Sequence, residues 1–173
     1  MDDSISNDLI STDGMIFDCD GVLIDITKSY DLTIDKTVKY VLEHFSQITD
    51  CIEINSKIID GFKSSGGFND EVDLTYAAIL SLVAAKKLDK SQHKFIFDVI
   101  SNADSSGILS VEKYLEKLVD ISDIKNKLSY PGIRNENPLY KIFDQMFYGP
   151  ELYSKIFKNK SQFSESGLIE NDI

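Results

Sequence analysis

Two hydrophobic patterns divide the chain. Near the start, Met15-Ile16-Phe17 is a short apolar run that stops at Asp18 and is bracketed by Gly14 and Gly21. A short apolar run bounded by polar residues and glycine predicts a buried parallel strand. From Thr27 onward the period is helical. Ile34, Val38, Val41, Leu42 and Phe45 fall at i, i+4, i+7, i+8 and i+11, one amphipathic face of a helix over 27–47. A second helix is expected over 52–62, ending at the glycine-rich run Lys63-Ser64-Ser65-Gly66-Gly67, which reads as the most flexible stretch. Asn69 or Asp70 is placed to cap a third helix reaching about Lys87, with Ser91 capping a fourth to about Ser101. Further helices are predicted over 110–119, 139–147 and 150–157, and Pro138 suits a first helical turn.

This pattern is lopsided. One strand cannot satisfy its own backbone hydrogen bonds. Either more strands lie in helical-looking sequence, or residues outside the chain complete a sheet.

Composition narrows the setting. The apolar fraction of 42% is enough for a core, and a net charge of −11 repels nucleic-acid backbones. That charge also repels a phosphorylated ligand unless a cation joins it. Cys19 and Cys51 are the two thiols, residues 1–12 are too polar for an export signal, and the apolar stretch 76–85 is too short to span a bilayer. The expectation is a cytoplasmic protein with neither a nucleic-acid nor a membrane partner.

The candidate chemistry lies at Asp18 and Asp20, two carboxylates directly after the predicted strand. Alternate residues of an extended chain share a face, so both could address one bound group. Gly21 allows a sharp turn and a close approach of backbone to ligand. One carboxylate, ionised and metal-bound, can attack phosphorus to form an aspartyl phosphate. The other, holding its proton through like-charge repulsion and partial burial, can protonate the leaving oxygen. Mg2+ prefers oxygen ligands and offsets the charge between acidic protein and anionic substrate.

Phe17-Asp18-Cys19-Asp20-Gly21-Val22-Leu23-Ile24-Asp25 resembles the first motif of the haloacid-dehalogenase-like hydrolases, phosphatase type. The resemblance extends through Ser29-Tyr30, the 63–70 loop, Asp73-Leu74-Thr75-Tyr76 and the closing Gly167-Leu168-Ile169-Glu170-Asn171, which resemble an archaeal-type branch with a helical cap. It implies an α/β class: a Rossmann-type parallel core carrying a helical cap, of which this chain holds one clear strand. The implied division is a flexible tail at 1–13, the first core strand and catalytic loop at 14–26, the cap at 27–163 and a return segment at 164–173. It further implies Asp18 as nucleophile and Asp20 as general acid/base. Mg2+ would be held by Asp18 and the Asp20 backbone carbonyl, and the substrate would be a small phosphorylated metabolite.

The family also uses a later Ser or Thr, a Lys and an acidic pair, and none follows here. The expectation is therefore a core made incomplete by truncation, splitting or deliberate cutting, with a homo-oligomer or a complementing core fragment as partner. The rival reading is a non-catalytic helical binding module.

Other residues carry weaker signals. Lys63 and Asn69, beside the glycine-rich loop, join Gly21 as candidate substrate contacts; a solvated lysine and a capping asparagine are the plainer alternatives. Thr27 suits a helix cap. Arg134 is the only arginine, and its fork suits carboxylate or phosphate. His44 and His93 lack metal-ligand spacing. Residues 102–113 approach a calcium loop, but position twelve is Lys113 where a bidentate Glu is needed, so an ordinary interhelical turn is expected.

Overall fold

The computed structural model describes Asp13, Gly14, Ile16, Phe17 and residues 26–172. Among the described residues there are seven α-helices and no strand: α1 (Thr27–Ser46), α2 (Ser56–Ser64), α3 (Glu71–Lys87), α4 (Gln92–Ser101), α5 (Ile108–Glu116), α6 (Ser122–Leu128) and α7 (Pro138–Phe157). A short 3-10 turn, Leu168–Asp172, follows. The expected α/β class with a core strand is therefore corrected to all-helical. Gly14, Ile16 and Phe17 carry no regular structure. Ile16 is fully exposed and Phe17 60% exposed, so this stretch is not a buried strand. A strand exists only as part of a ladder, and the described residues offer it no partner.

Helix α3 is the centre of the molecule. It packs against all six other helices. Every residue from Leu74 to Ala85 is buried, which explains the nearly continuous apolar sequence there. Ala77, Ala78, Ser81, Ala84 and Ala85 let neighbouring helices approach closely, while Leu74, Tyr76, Ile79, Leu80 and Leu82 fill the space between them. Fully burying each of the four aliphatic ones, Leu74, Ile79, Leu80 and Leu82, contributes about 1.5–3 kcal/mol. Asp70 starts the helix by accepting the Val72 N–H at 2.7 Å, while Glu71 and Asp73 place negative charge at its first turn.

Helix α1 buries two stripes. Ile34, Val38, Val41 and Leu42 are the apolar face foreseen from the sequence. Ser29, Thr33 and Thr37 are also fully buried. Ser29 Oγ donates to Ile26 O, Thr33 Oγ1 donates to Ser29 O, and Thr37 Oγ1 reaches Met146 Sδ on α7 at 3.6 Å. These small hydroxyls meet their polar needs locally and let α7 lie close. Ile26, not Thr27, occupies the cap position.

Helix α2 starts later than the periodicity suggests. Side chains take the preceding amides: Gln92 Oε1 accepts Ile52 N–H and Asp35 Oδ1 accepts Ile54 N–H, both at 2.9 Å. Asn55 then caps the helix. The two helices expected over 139–147 and 150–157 form one kinked element. Gly149 sits at φ 70° and ψ 171°, with Pro150 next. Asn137 caps it through bonds from the Leu139 and Tyr140 amides, with Pro138 in the first turn as expected.

The 63–70 loop differs most from expectation. Instead of a loose stretch, it is pinned. Phe68 is fully buried, its ring 5.0 Å from Phe62. Gly67 presses backbone to backbone on Gly107, and a methyl on either glycine would overlap the other segment's main chain. A second crossing of this kind joins Gly149 and Gly167, where the returning chain runs over the kink of α7.

Candidate functional site

Asp18, Asp20 and Gly21, with the catalytic and Mg2+ roles that resemblance gives them, lie outside the described residues. The chain enters the helical body at Ile26 and turns at once into α1. The surroundings of that entry can be built from the residues upward.

Tyr30 is in the first turn of α1. Its ring stacks on Phe147 of α7, with centroids 4.6 Å apart. Phe147 meets Tyr148 edge-on at 4.9 Å. Separately, the Arg134 guanidinium sits 5.2 Å over the Tyr140 ring of the same helix α7. Arg134 forks onto Asp144: Nε donates to Oδ2 at 3.0 Å and Nη2 to Oδ1 at 2.6 Å. The pair is asymmetric, because the Arg134 side chain is 50% exposed and Asp144 only 3%. The Asp144 hydrogen bonds hold the Arg134 pKa well above the usual guanidinium range; burial opposes this, and the charges of Asp144, Tyr148 and Asp70 add to it.

A second polar chain runs inward from there. Tyr130 donates its hydroxyl to Asp73 Oδ1, and its oxygen lies 3.4 Å from the Tyr140 hydroxyl. Partial burial raises the Asp73 pKa, partly offset by the Tyr130 hydrogen bond. Tyr130 itself is pushed far above the ordinary phenol value, first by burial and then by its bond to Asp73. Tyr76 packs on Tyr130 at 4.8 Å and donates to Glu112 at 2.7 Å. Lys125 closes the chain on Glu112 and Glu116. Buried polar groups here are paired, as the cost of leaving them unpaired demands.

The described substrate candidates are placed as follows. Lys63 is exposed and lies 3.4 Å from Glu71. Asn69 is exposed, and capping of α3 falls to Asp70. His44 stacks on Tyr40 and His93 packs beside Phe97. The near-calcium loop is a turn, as expected: Asp104 Oδ1 accepts both the amide and the hydroxyl of Ser106. Among the described residues no three His, Cys, Asp or Glu side chains are grouped to hold a metal.

A groove of about 490 Å³ lies between α1, α7 and residues 162–168, lined by Lys36, Tyr40, Gln145 and Phe163 among others. It is built from paired groups. Gln145 Oε1 accepts the Gln162 amide, Lys36 faces Glu165 at 3.5 Å, and Tyr40 meets Phe163 edge-on. Sequence reasoning missed the Asp144 partner of Arg134, since ten residues and a loop separate them. It also missed Tyr130, whose only signal was a tyrosine before Pro131-Gly132. No described helix is long and apolar enough to cross a membrane. Comparisons with protein-family models, with curated proteins and with solved structures found no match to this chain.

Proposed function

We propose that the chain belongs to a Mg2+-dependent phosphatase that uses Asp18 as nucleophile and Asp20 as general acid/base on a small phosphate monoester. The helical body serves as the part that selects the substrate. The observation that carries the reading is the motif Asp18-Cys19-Asp20-Gly21 leading, five residues after Gly21, into the Ile26 cap of α1. It is supported by what surrounds that helix start: an aromatic run through Tyr30, Phe147 and Tyr148. Mg2+, held by the Asp18 carboxylate and the Asp20 carbonyl, would supply positive charge opposite the phosphate. Asp18 would provide the attacking oxygen, and Asp20 would carry a proton to and from the substrate oxygen. Gly21 would admit the phosphate close to the backbone, and a reducing cytoplasm is the compartment that fits a chain with only two cysteines.

A non-catalytic helical interaction module is the second reading, favoured by an all-helical described body with no metal cluster among its residues. One assay separates them. Mg2+-dependent hydrolysis of p-nitrophenyl phosphate, by the chain alone or joined by the complementing core fragment that its missing motifs call for, is expected to fall by at least about 10²-fold in Asp18→Asn. Hydrolysis that survives the substitution removes Asp18 as nucleophile. Absence of hydrolysis by the chain alone fits the incomplete core and leaves the family reading standing; absence with a complementing core fragment as well favours the interaction module.

A further inference from the structure

We propose that the groove between α1, α7 and residues 162–168 binds a small organic ammonium ion, an alkylated amine whose charge is met by Tyr40, Phe163 and Glu43. Nothing in this site depends on Asp18 or Asp20.

Helix α1 supplies one wall. Lys36, Lys39, Tyr40 and Glu43 fall at i, i+3, i+4 and i+7, so they share one face of the helix, and all four line the groove. The space is about 490 Å³, which suits a small molecule. Both lysines are already answered. Lys39 lies 2.6 Å from Asp35, and Lys36 lies 3.5 Å from Glu165. Glu43 is exposed and has no ion-pair or hydrogen-bond partner among the described residues. Lys36 and Lys39 set against Asp35, Glu165 and Glu43 leave a net negative charge, at Glu43. The chain as a whole, at −11, attracts small cations and repels anions.

The aromatic groups give that cation its class. Phe163 stands edge-on to Tyr40, with centroids 5.1 Å apart and planes at 80°, and both rings line the groove. The face of an aromatic ring is its negative part and attracts an ammonium ion; quaternary ammonium ligands are commonly recognised this way. Both rings are held in place. His44 lies flat against Tyr40 at 4.0 Å, Ser161 Oγ accepts the Phe163 amide at 3.0 Å, and Gln145 Oε1 accepts the Gln162 amide at 2.7 Å. Such fixing reduces the entropy lost on binding. Met146 and Leu168 add apolar surface for the alkyl groups, and Thr37 Oγ1 holds the Met146 thioether at 3.6 Å. A plain staple of residues 162–168 onto α1 is the competing explanation. A staple calls for close packing, not for an open groove lined by an unpaired carboxylate.

The test uses the full chain at about 0.15 M salt, which screens general attraction to an acidic surface. Three probes of one shape are titrated and followed by amide shifts in NMR: cationic choline, neutral 3,3-dimethylbutan-1-ol and anionic 3,3-dimethylbutanoate. Choline is expected to bind at least about tenfold tighter than the alcohol, with shifts centred on Tyr40, Glu43 and Phe163, and the carboxylate is expected to bind least. Phe163→Leu keeps apolar bulk but loses the ring, and it is expected to lower choline affinity at least about threefold. Glu43→Gln is expected to do the same, and to leave the affinity for the alcohol unchanged. Its site is exposed, so it decides the matter if Phe163→Leu does not fold. A choline preference that survives in either folded variant overturns the proposal. So does choline bound no tighter than the alcohol, or shifts centred away from the groove. Preference for the carboxylate would assign the groove to Lys36 and Lys39 and overturn it equally, as would no binding of any probe.

Discussion

Single atoms decide the two glycine crossings. Gly67 has no room for a side chain because the Gly107 backbone occupies that space, whereas Gly66, one residue earlier at φ 82°, has nothing within 4 Å. The two alanine substitutions therefore separate packing from backbone strain. Gly66→Ala is expected to cost about 1–2 kcal/mol, the penalty of a left-handed residue with a Cβ. Gly67→Ala is expected to cost more, about 3 kcal/mol, since backbone must move to relieve the overlap. Urea unfolding of both variants checks the order, and a Gly67→Ala cost below that of Gly66→Ala contradicts the crossing. Sequence showed a glycine pair and suggested looseness. It could not show that another loop, forty residues on, fills the space a side chain would take.

Asp73 gives a pH prediction at the same scale. Its folded pKa is raised above the ordinary 3.8, mainly by burial. The folded state thus holds this proton more tightly than the unfolded chain. The contribution to stability is complete below pH 3.8 and is lost as pH rises through the folded value. Asp73→Asn removes the titration, so the variant is expected to gain stability relative to wild type between about pH 3.5 and pH 7. Asp104 and Asp120, whose bonds to Ser106 and Ser122 lower their pKa, act in the opposite direction but cancel in the comparison. A difference that does not vary with pH across that range removes Asp73 as the cause.

At the scale of elements, periodicity located most helices because most present a single buried face. Its failures have specific causes. Residues 52–55 look helical, yet Asp35 and Gln92 take their amides. Helix α6 is only seven residues long, with Ile124 and Leu128 as its buried positions, too few to stand out as a period. Gly149 hides a bend inside an otherwise continuous pattern. That bend lets Gly167 cross α7, so Gly149→Ala is expected to release the segment over 158–172. Hydrogen exchange should show faster exchange there and little change in α3. Equal effects on both would mean that the crossing supports the whole core.

Across the whole molecule, 29 acidic side chains face 18 basic ones. Seven ion pairs are formed among the described residues, and most involve an exposed lysine. Exposed pairs contribute about 0–1 kcal/mol each, so the uncompensated negative charge dominates. Raising ionic strength from about 0.01 M to about 0.1 M shortens the screening length from about 30 to about 10 Å. The melting temperature is therefore expected to rise over that interval, as measured by circular dichroism. A fall would mean that the ion pairs outweigh the general repulsion.

The sequence by itself determined most of the helical periods, a cap for α3 at Asn69 or Asp70, the Pro138 first turn of α7, the apolar stretch within α3 and the Asp18-Asp20 motif, because each depends on neighbours within a few residues. Only the tertiary structure decided the class, since a strand is made by its partner and none is described for Gly14, Ile16 and Phe17. It also decided the fate of the 63–70 loop and the fork of Arg134 on Asp144. Both are contacts between segments distant in the chain, and local pattern carries no record of which distant groups will meet.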